Sequence, residues 1–257
     1  MKNYTQTDKR LHYYSQVIAK ANRTYVPAKE DDSHTNLYFD SLGNRLCGRW
    51  INTKNGDVLL SLHLDTLAYV FTNRSLEILE KVPAASKTML TIEKEIESLL
   101  PAMGLNPSGF ADELHFEIPD YDFADKPLEA LPAEDLQIWK KYRALGNEAC
   151  LNLLGHAQMW EEIRIWPHHF DTGIYFKSKK DLGIGFGLAM EDAMAGAPYF
   201  YMAPYPEGKS PDFKNEPKGD WNWEIGKHWQ GAFLSIEALD SLAMVEKKKL
   251  ISQFIKT

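Results

Sequence analysis

The chain has 257 residues, 44% of them apolar and 25% charged, with a formal net charge of −7. That length is ample for a packed core and the balance is that of an ordinary globular chain, not of a disordered one. No apolar run approaches the roughly 18 residues that cross a bilayer, and no sustained basic block offers a surface for nucleic acid or anionic lipid.

Residues 8–25 carry Leu11, Tyr14, Val17, Ile18 and Tyr25 near helical spacing, with Asp8 as a candidate cap and Pro27 past the end, and predict a helix. The polar residues before it contain no apolar core of a signal peptide, so the expected location is cytoplasmic. Short β-prone runs follow at 36–39, 45–52, 57–64, 67–72 and 76–81. They are divided by turn signals at Gly43-Asn44, Asn55-Gly56 and Asn73-Arg74-Ser75. Ser86 is placed to cap a second helix that Gly104 stops near 103. Residues 105–132 are acidic and broken by Pro107, Pro119, Pro127 and Pro132. Within them Asp120, Asp122 and Asp125 interleave with Tyr121 and Phe123. The run lacks the Gly and terminal Glu of an EF-hand loop and reads as an ordered connector draped over the surface.

The second half repeats the order of the first. A helix is expected over 133–155, with Leu136, Trp139, Tyr142, Leu145 and Leu153 as its stripe. A strand over 161–177 is interrupted at Pro167. A turn at Lys179-Lys180-Asp181, strands at 182–190 and 199–203, a Pro/Lys/Asp-rich loop over 206–220, a strand at 227–236 and a closing helix over 241–255 complete it. The fold class is α+β. Two similar halves, 1–104 and 133–257, are joined by the connector 105–132, and the repeated order reads as an internal duplication. The alternation leaves open whether the halves share one sheet. Cys47 and Cys150, about a hundred residues apart and without a CxxC, read as two reduced thiols in packed positions.

The chemistry concentrates in Trp166-Pro167-His168-His169-Phe170-Asp171. On a strand, alternation puts His169 and Asp171 on one face and His168 on the other. The pair would suit a general base with its orienting carboxylate, a polar ligand clamp or part of a metal site. A metal would need three or four ligands, with Glu191, Asp192 and His228 as the nearest supply, and a joint site on both histidines would require Pro167 to bend the strand. The structural alternative is a buried His–Asp pair that fixes the fold. Beyond the motif, Gly183, Gly185 and Gly187 leave one face of a strand bare, and Tyr199, Tyr201 and Tyr205 share a parity on the next. The rings either lie across the glycines or wall a cleft. Trp221, Trp223 and Trp229 cluster near the last strand. Neither cysteine sits in a nucleophile elbow, and no GxSxG or phosphate-binding Gly-rich loop occurs.

The motif, with Pro198-Tyr199-Phe200-Tyr201-Met202-Ala203-Pro204 and Trp229-Gln230-Gly231-Ala232, resembles an uncharacterised bacterial family. That family carries Trp-Pro-x-His-Phe-Asp, Pro-Tyr-x-Tyr-x-x-Pro and an Asp near position 192. Gln16, Lys20, Pro27 and His34-Thr35-Asn36-Leu37-Tyr38 are similar to the amino-terminal part of a related uncharacterised family, with Ala19 standing where that pattern has Gly. The resemblance implies that Lys20, His34, His169 and Asp171 belong together. It implies no activity and names no cofactor.

The leading expectation is a cytoplasmic protein that binds a small polar or anionic molecule. Its pocket would draw on His169 and Asp171, with Lys20, His34, Asp192, Tyr199, Tyr201 and Trp229 as ligand-binding residues. One alternative is a hydrolase or lyase with His169 as general base and Asp171 behind it, with or without a metal. Another is a structural or interaction protein. Composition assigns no oligomeric state.

Overall fold

The computed structural model describes residues 2–178, 182–206, 217–227 and 229–256. The expected turn at 179–181, much of the loop over 206–220, and His228 lie outside the described residues. The chain is α+β, with one five-stranded and one six-stranded antiparallel sheet. It divides into two compact units: Gln6–Lys140 with Ile165–Phe170, and Met1–Thr5 with Lys141–Arg164 and Asp171–Thr257.

The first unit takes most of helix α1 (Lys2–Tyr25) and a meander of five strands. These are β1 (Tyr38–Asp40), β2 (Arg45–Ile51), β3 (Val58–His63), β4 (Ala68–Asn73) and β5 (Ile78–Pro83), neighbours in sequence order. All five expected strands are present within a few residues, because short turns and β-branched or leucine-rich runs specify local hairpins. Leu11, Val17, Ile18 and Ala21 form the buried stripe of α1. Gly48 allows the helix to approach the sheet, since a Cβ there would stand 2.7 Å from both Asn22 Oδ1 and Ile18 Cγ2. At the bulge in β2 the Asn22 Oδ1 accepts from Arg49 N at 2.9 Å, while its Nδ2 donates to the Thr35 and Asn36 carbonyls ahead of β1.

Helix α2 (Met89–Leu99) begins at Thr88, whose side chain accepts from Thr91 N, and not at Ser86. The Ser86 N–H is instead taken by the Leu128 carbonyl at 2.8 Å, and the residue sits at φ 63°. The connector 105–132 has almost no regular structure, and side chains of α1 hold its backbone. Tyr25 Oη donates to Asn106 O and Tyr13 Oη to Ala124 O, each at 2.7 Å. The Arg23 guanidinium reaches the carbonyls of Gly109, Asp112 and Glu113 at 2.8–3.0 Å. An irregular segment has no ladder or helix to bond its carbonyls, and α1 supplies donors to these, which range from part-buried to exposed.

The second unit holds the other sheet, in the order β10-β11-β9-β8-β7-β6, apart from Ile165 at the end of β6. Its strands are β6 (Arg164–Ile165), β7 (Thr172–Lys177), β8 (Leu182–Ala189), β9 (Tyr199–Pro206), β10 (Asn222–Ile225) and β11 (Gln230–Ser235). Helix α3 (Ala133–Ala157) enters this unit at Lys141. One face of the sheet carries Ile174, Phe186, Leu188, Phe200 and Leu234, all fully buried. Gly146 of α3 packs there, where a Cβ would lie 3.3 Å from Leu188 Cβ, and the Phe254 ring stands 6.3 Å from that of Phe186. The closing helix expected over 241–255 is α5 (Met244–Phe254), started by Glu246 accepting from Ala243 N at 2.8 Å, and a short helix without a sequence expectation, α4 (Glu237–Asp240), precedes it. Strand β10 had no sequence prediction, since four residues, Asn222-Trp223-Glu224-Ile225, give little periodicity.

The expected strand over 161–177 is the main correction. Only Arg164–Ile165 and Thr172–Lys177 are extended. Between them Phe170 N donates to Trp166 O at 2.6 Å and His169 N to the same oxygen at 3.3 Å, closing a turn. Pro167 bends the chain, and Phe170 completes the reversal at φ 55°. Strand alternation therefore does not separate the two histidines; their ring centroids are 4.3 Å apart.

Candidate functional site

The turn at 166–170 is fastened to α1 within the first unit. His12 Nε2 lies 2.8 Å from the Pro167 carbonyl, and Gln16 Nε2 donates to the same oxygen at 2.9 Å. A carbonyl only accepts, so Nε2 carries the imidazole proton, and in the neutral ring Nδ1 accepts from Tyr121 Oη at 2.7 Å. Phe170 is fully buried, with its ring stacked 5.3 Å from His12 and 6.3 Å from Trp139. Trp139 Nε1 in turn donates to Asp8 Oδ1 at 2.7 Å. A bulky residue at positive φ is strained, and this stack together with the two bonds to Pro167 holds it there.

Beyond the fastening, His169 is exposed and His168 half-buried. His168 lies 5.6 Å from the Phe116 ring, and His115 Nε2 is 2.8 Å from Asp32 Oδ2. Burial first, and then the neighbouring His169, push the His168 imidazole down to about 4, so it is neutral at physiological pH. No group of three or more His, Cys, Asp or Glu among the described residues is arranged to hold a metal ion.

Within the second unit, the sheet face opposite the apolar core is built from glycines and tyrosines. The register pairs Gly173 with Gly187 and Gly187 with Tyr201, and pairs Gly183 with Tyr205. The space a Cβ would fill is occupied by rings. At Gly183 it lies 2.8 Å from Tyr175 Cζ, and at Gly185 it lies 2.9 Å from Tyr205 Cε2. At both Gly173 and Gly187 it lies 3.0 Å from Tyr201 Oη. Trp229 covers Gly231 in the same way, with a ring carbon 2.8 Å from the would-be Cβ. Only a glycine row admits this layer of rings directly on the backbone.

The bare positions let the Tyr201 phenol cross β8 and reach Asp171, to whose Oδ2 it donates at 2.5 Å. Arg143, fully buried on α3, steadies the start of β7 by donating from Nη1 to Thr172 Oγ1 at 2.9 Å. Tyr199 Oη donates to Asp192 Oδ2 at 2.6 Å, and Asp192 Oδ1 accepts from the backbone of Met194 and Ala195 at 3.0 Å, pinning the β8–β9 loop. Burial raises the pKa of Tyr199, Tyr201 and Tyr205, and the charge of Asp171 raises each further. The phenols thus stay protonated as donors.

No family model, curated protein or solved structure matches this chain. The site is therefore read from its geometry alone.

Of the sequence-predicted residues, Asp171, Asp192, Tyr199, Tyr201 and Trp229 all belong to the six-stranded sheet and its loops. Asp171 and Tyr201 are bonded to each other, as are Asp192 and Tyr199. Lys20 and His34 belong to the first unit and share no partner there. Lys20 Nζ pairs with Glu93 Oε1 at 2.8 Å and donates to Ala111 O at 3.4 Å. His34 Nδ1 accepts from Lys29 N at 3.2 Å, closing its own loop. His169 lies in the turn beside His168. The sequence reading did not single out Tyr175, His12, Gln16 as a turn fastener, or Arg143. Tyr175 shares the parity of Asp171 and Gly173, a signal that was present. Nothing local marks His12, whose partner is a backbone carbonyl 155 residues away.

Proposed function

We propose that this is a cytoplasmic protein that binds a small polar molecule on the tyrosine face of its six-stranded sheet. One observation carries the reading: three tyrosines and a tryptophan lie on glycines, and one phenol is locked to the half-buried Asp171. A surface that gave up side chains at Gly173, Gly183, Gly185, Gly187 and Gly231 weakens its strands, and close approach of other groups is the usual compensation. Tyr175 and Tyr205 remain 38% and 47% exposed, so aromatic area is left for a ligand. Aromatic walls with a few fixed polar groups are the common make-up of small-molecule sites. No helix among the described residues is long and apolar enough to cross a membrane.

The test is a ligand screen by thermal shift on the wild type, on Tyr205→Ala, on Tyr175→Ala and on His169→Ala. At least one compound is expected to raise the wild-type Tm, with the rise reduced in both tyrosine variants and kept in His169→Ala. A rise that survives both tyrosine substitutions would place binding elsewhere and end this reading.

A further inference from the structure

The first unit carries a cavity of its own, apart from the tyrosine face. It measures about 490 Å³ and lies beside β2, with Val26, Tyr38, Cys47, Trp50 and Leu59 supplying most of its wall. That size and that apolar and aromatic make-up are those of small-molecule pockets. Strand pairing explains its place. β1 pairs with β2 only as far as Tyr38 with Cys47, so residues 48–51 of β2 have no described strand on that side. The register with β3 shifts just there, and the bulge sets Trp50 opposite Leu59. Without the extra residue Arg49 would stand opposite Leu59, and Trp50 would take the other side of the sheet, where Gly48 meets Ile18 of α1. The bulge therefore brings Trp50 to the side of Cys47 and Leu59, a re-aiming that bulges beside sites commonly perform.

Both aromatic rings of the wall are held in place by the protein itself. The Arg74 guanidinium lies 4.2 Å from the Trp50 ring centroid and is tied in turn to Asp57 Oδ2 at 2.8 Å. Arg49 lies 5.1 Å from the Tyr38 ring centroid and donates from Nη1 to its hydroxyl at 2.6 Å. Side chains already fixed lose little freedom when a ligand binds. One polar group of the wall is unused. Among the described residues the Trp50 indole N–H has no hydrogen-bond partner, and an indole nitrogen only donates.

We infer that this cavity takes a flat aromatic molecule carrying a carbonyl acceptor, its ring packed among Val26, Tyr38, Trp50 and Leu59 and its acceptor on the Trp50 indole N–H. Ring–ring contact, stacked or edge-on, adds to what apolar burial alone provides. A saturated molecule of the same size buries a similar area and forgoes that gain. The acceptor is required because a donor there would face another donor. The site stands independently of the tyrosine face, with which it shares no residue.

The experiment titrates the full chain with benzamide and, separately, with cyclohexanecarboxamide, which carries the same acceptor on a saturated ring. NMR follows the tryptophan indole N–H resonances and the ligand's own lines, with the Trp50 resonance identified as the one missing from Trp50→Phe. Benzamide is expected to shift that resonance saturably and to bind about two- to ten-fold more tightly than the saturated amide. Trp50→Phe keeps an aromatic wall and removes the donor, so benzamide should weaken there by about two- to ten-fold. Val26 is half-buried at the end of α1, and Val26→Trp should fill the cavity and abolish binding while Tm stays near that of wild type. Tyr205→Ala, on the other sheet, should change nothing. No saturable shift of the Trp50 resonance, equal binding of the two amides, or benzamide binding retained in a folded Val26→Trp overturns the inference. Unchanged affinity in Trp50→Phe overturns it equally, whether or not Val26→Trp folds. Loss of binding in Tyr205→Ala would move benzamide to the tyrosine face, which overturns this site and supports the other.

Discussion

His168 is the residue whose environment departs furthest from what its position in the chain suggests. Adjacent histidines in a strand would point apart, whereas the turn brings the two rings within 4.3 Å. Burial and the neighbouring His169 lower its pKa to about 4, with His115 acting in the same direction and Asp32 opposing. An unfolded histidine titrates near 6.5. As pH falls from 6.5 the unfolded chain therefore takes up a proton that the folded chain refuses, and stability is lost until about pH 4. Above pH 6.5 this contribution is constant. Thermal melts at pH 7.5 and pH 5 should show a smaller acid-induced drop in Tm for His168→Gln than for wild type. An identical drop would mean that His168 is solvated as in the unfolded chain.

The connector shows how an element without periodicity can still be ordered. Its prolines and acidic residues mark it as irregular, and that much was legible. What fixes it was not, because the donors sit on α1, some 80–110 residues earlier. Arg23 makes three of these bonds, to carbonyls of Gly109, Asp112 and Glu113. Arg23→Ala should lower stability by about 1–2 kcal/mol and raise the rate of limited proteolysis within 105–126. Arg23→Lys should rescue little, because a single ammonium cannot fork to carbonyls on both sides. Unchanged cleavage in Arg23→Ala would assign the ordering to Tyr13 and Tyr25 instead. The glycine strand β8 presents the opposite case. Its alternation was plain in the sequence, and the tyrosine parity on β9 followed from the same two-residue period.

At the scale of the molecule, the two thiols report on the integrity of both sheets' surroundings. Cys47 on β2 is buried, and burial pushes its thiol up to about 12; Cys150 on α3 is fully buried and raised as well, by burial and then by Asp171. Neither supplies thiolate at pH 8 while folded. A thiol reagent should therefore find almost no reactive sulfur in the native protein and both in urea. Fast reaction of either thiol in the native state would reveal local opening at that unit.

Composition, turn chemistry and hydrophobic period by themselves determined that this chain is α+β, where most of its strands run, and which parity of β8 and β9 carries glycine and tyrosine. These are local properties, written within a window of a few residues. Tertiary structure alone decided that there are two sheets, that Pro167 ends a strand in a turn, and that Lys20 is neutralised by Glu93. It also decided that Asp171 is held by Tyr201 from two strands away, across the bare backbone of Gly187. Each of those outcomes depends on a partner distant in sequence, and no period or cap in the chain encodes which carbonyl or carboxylate a side chain will find once the core has packed.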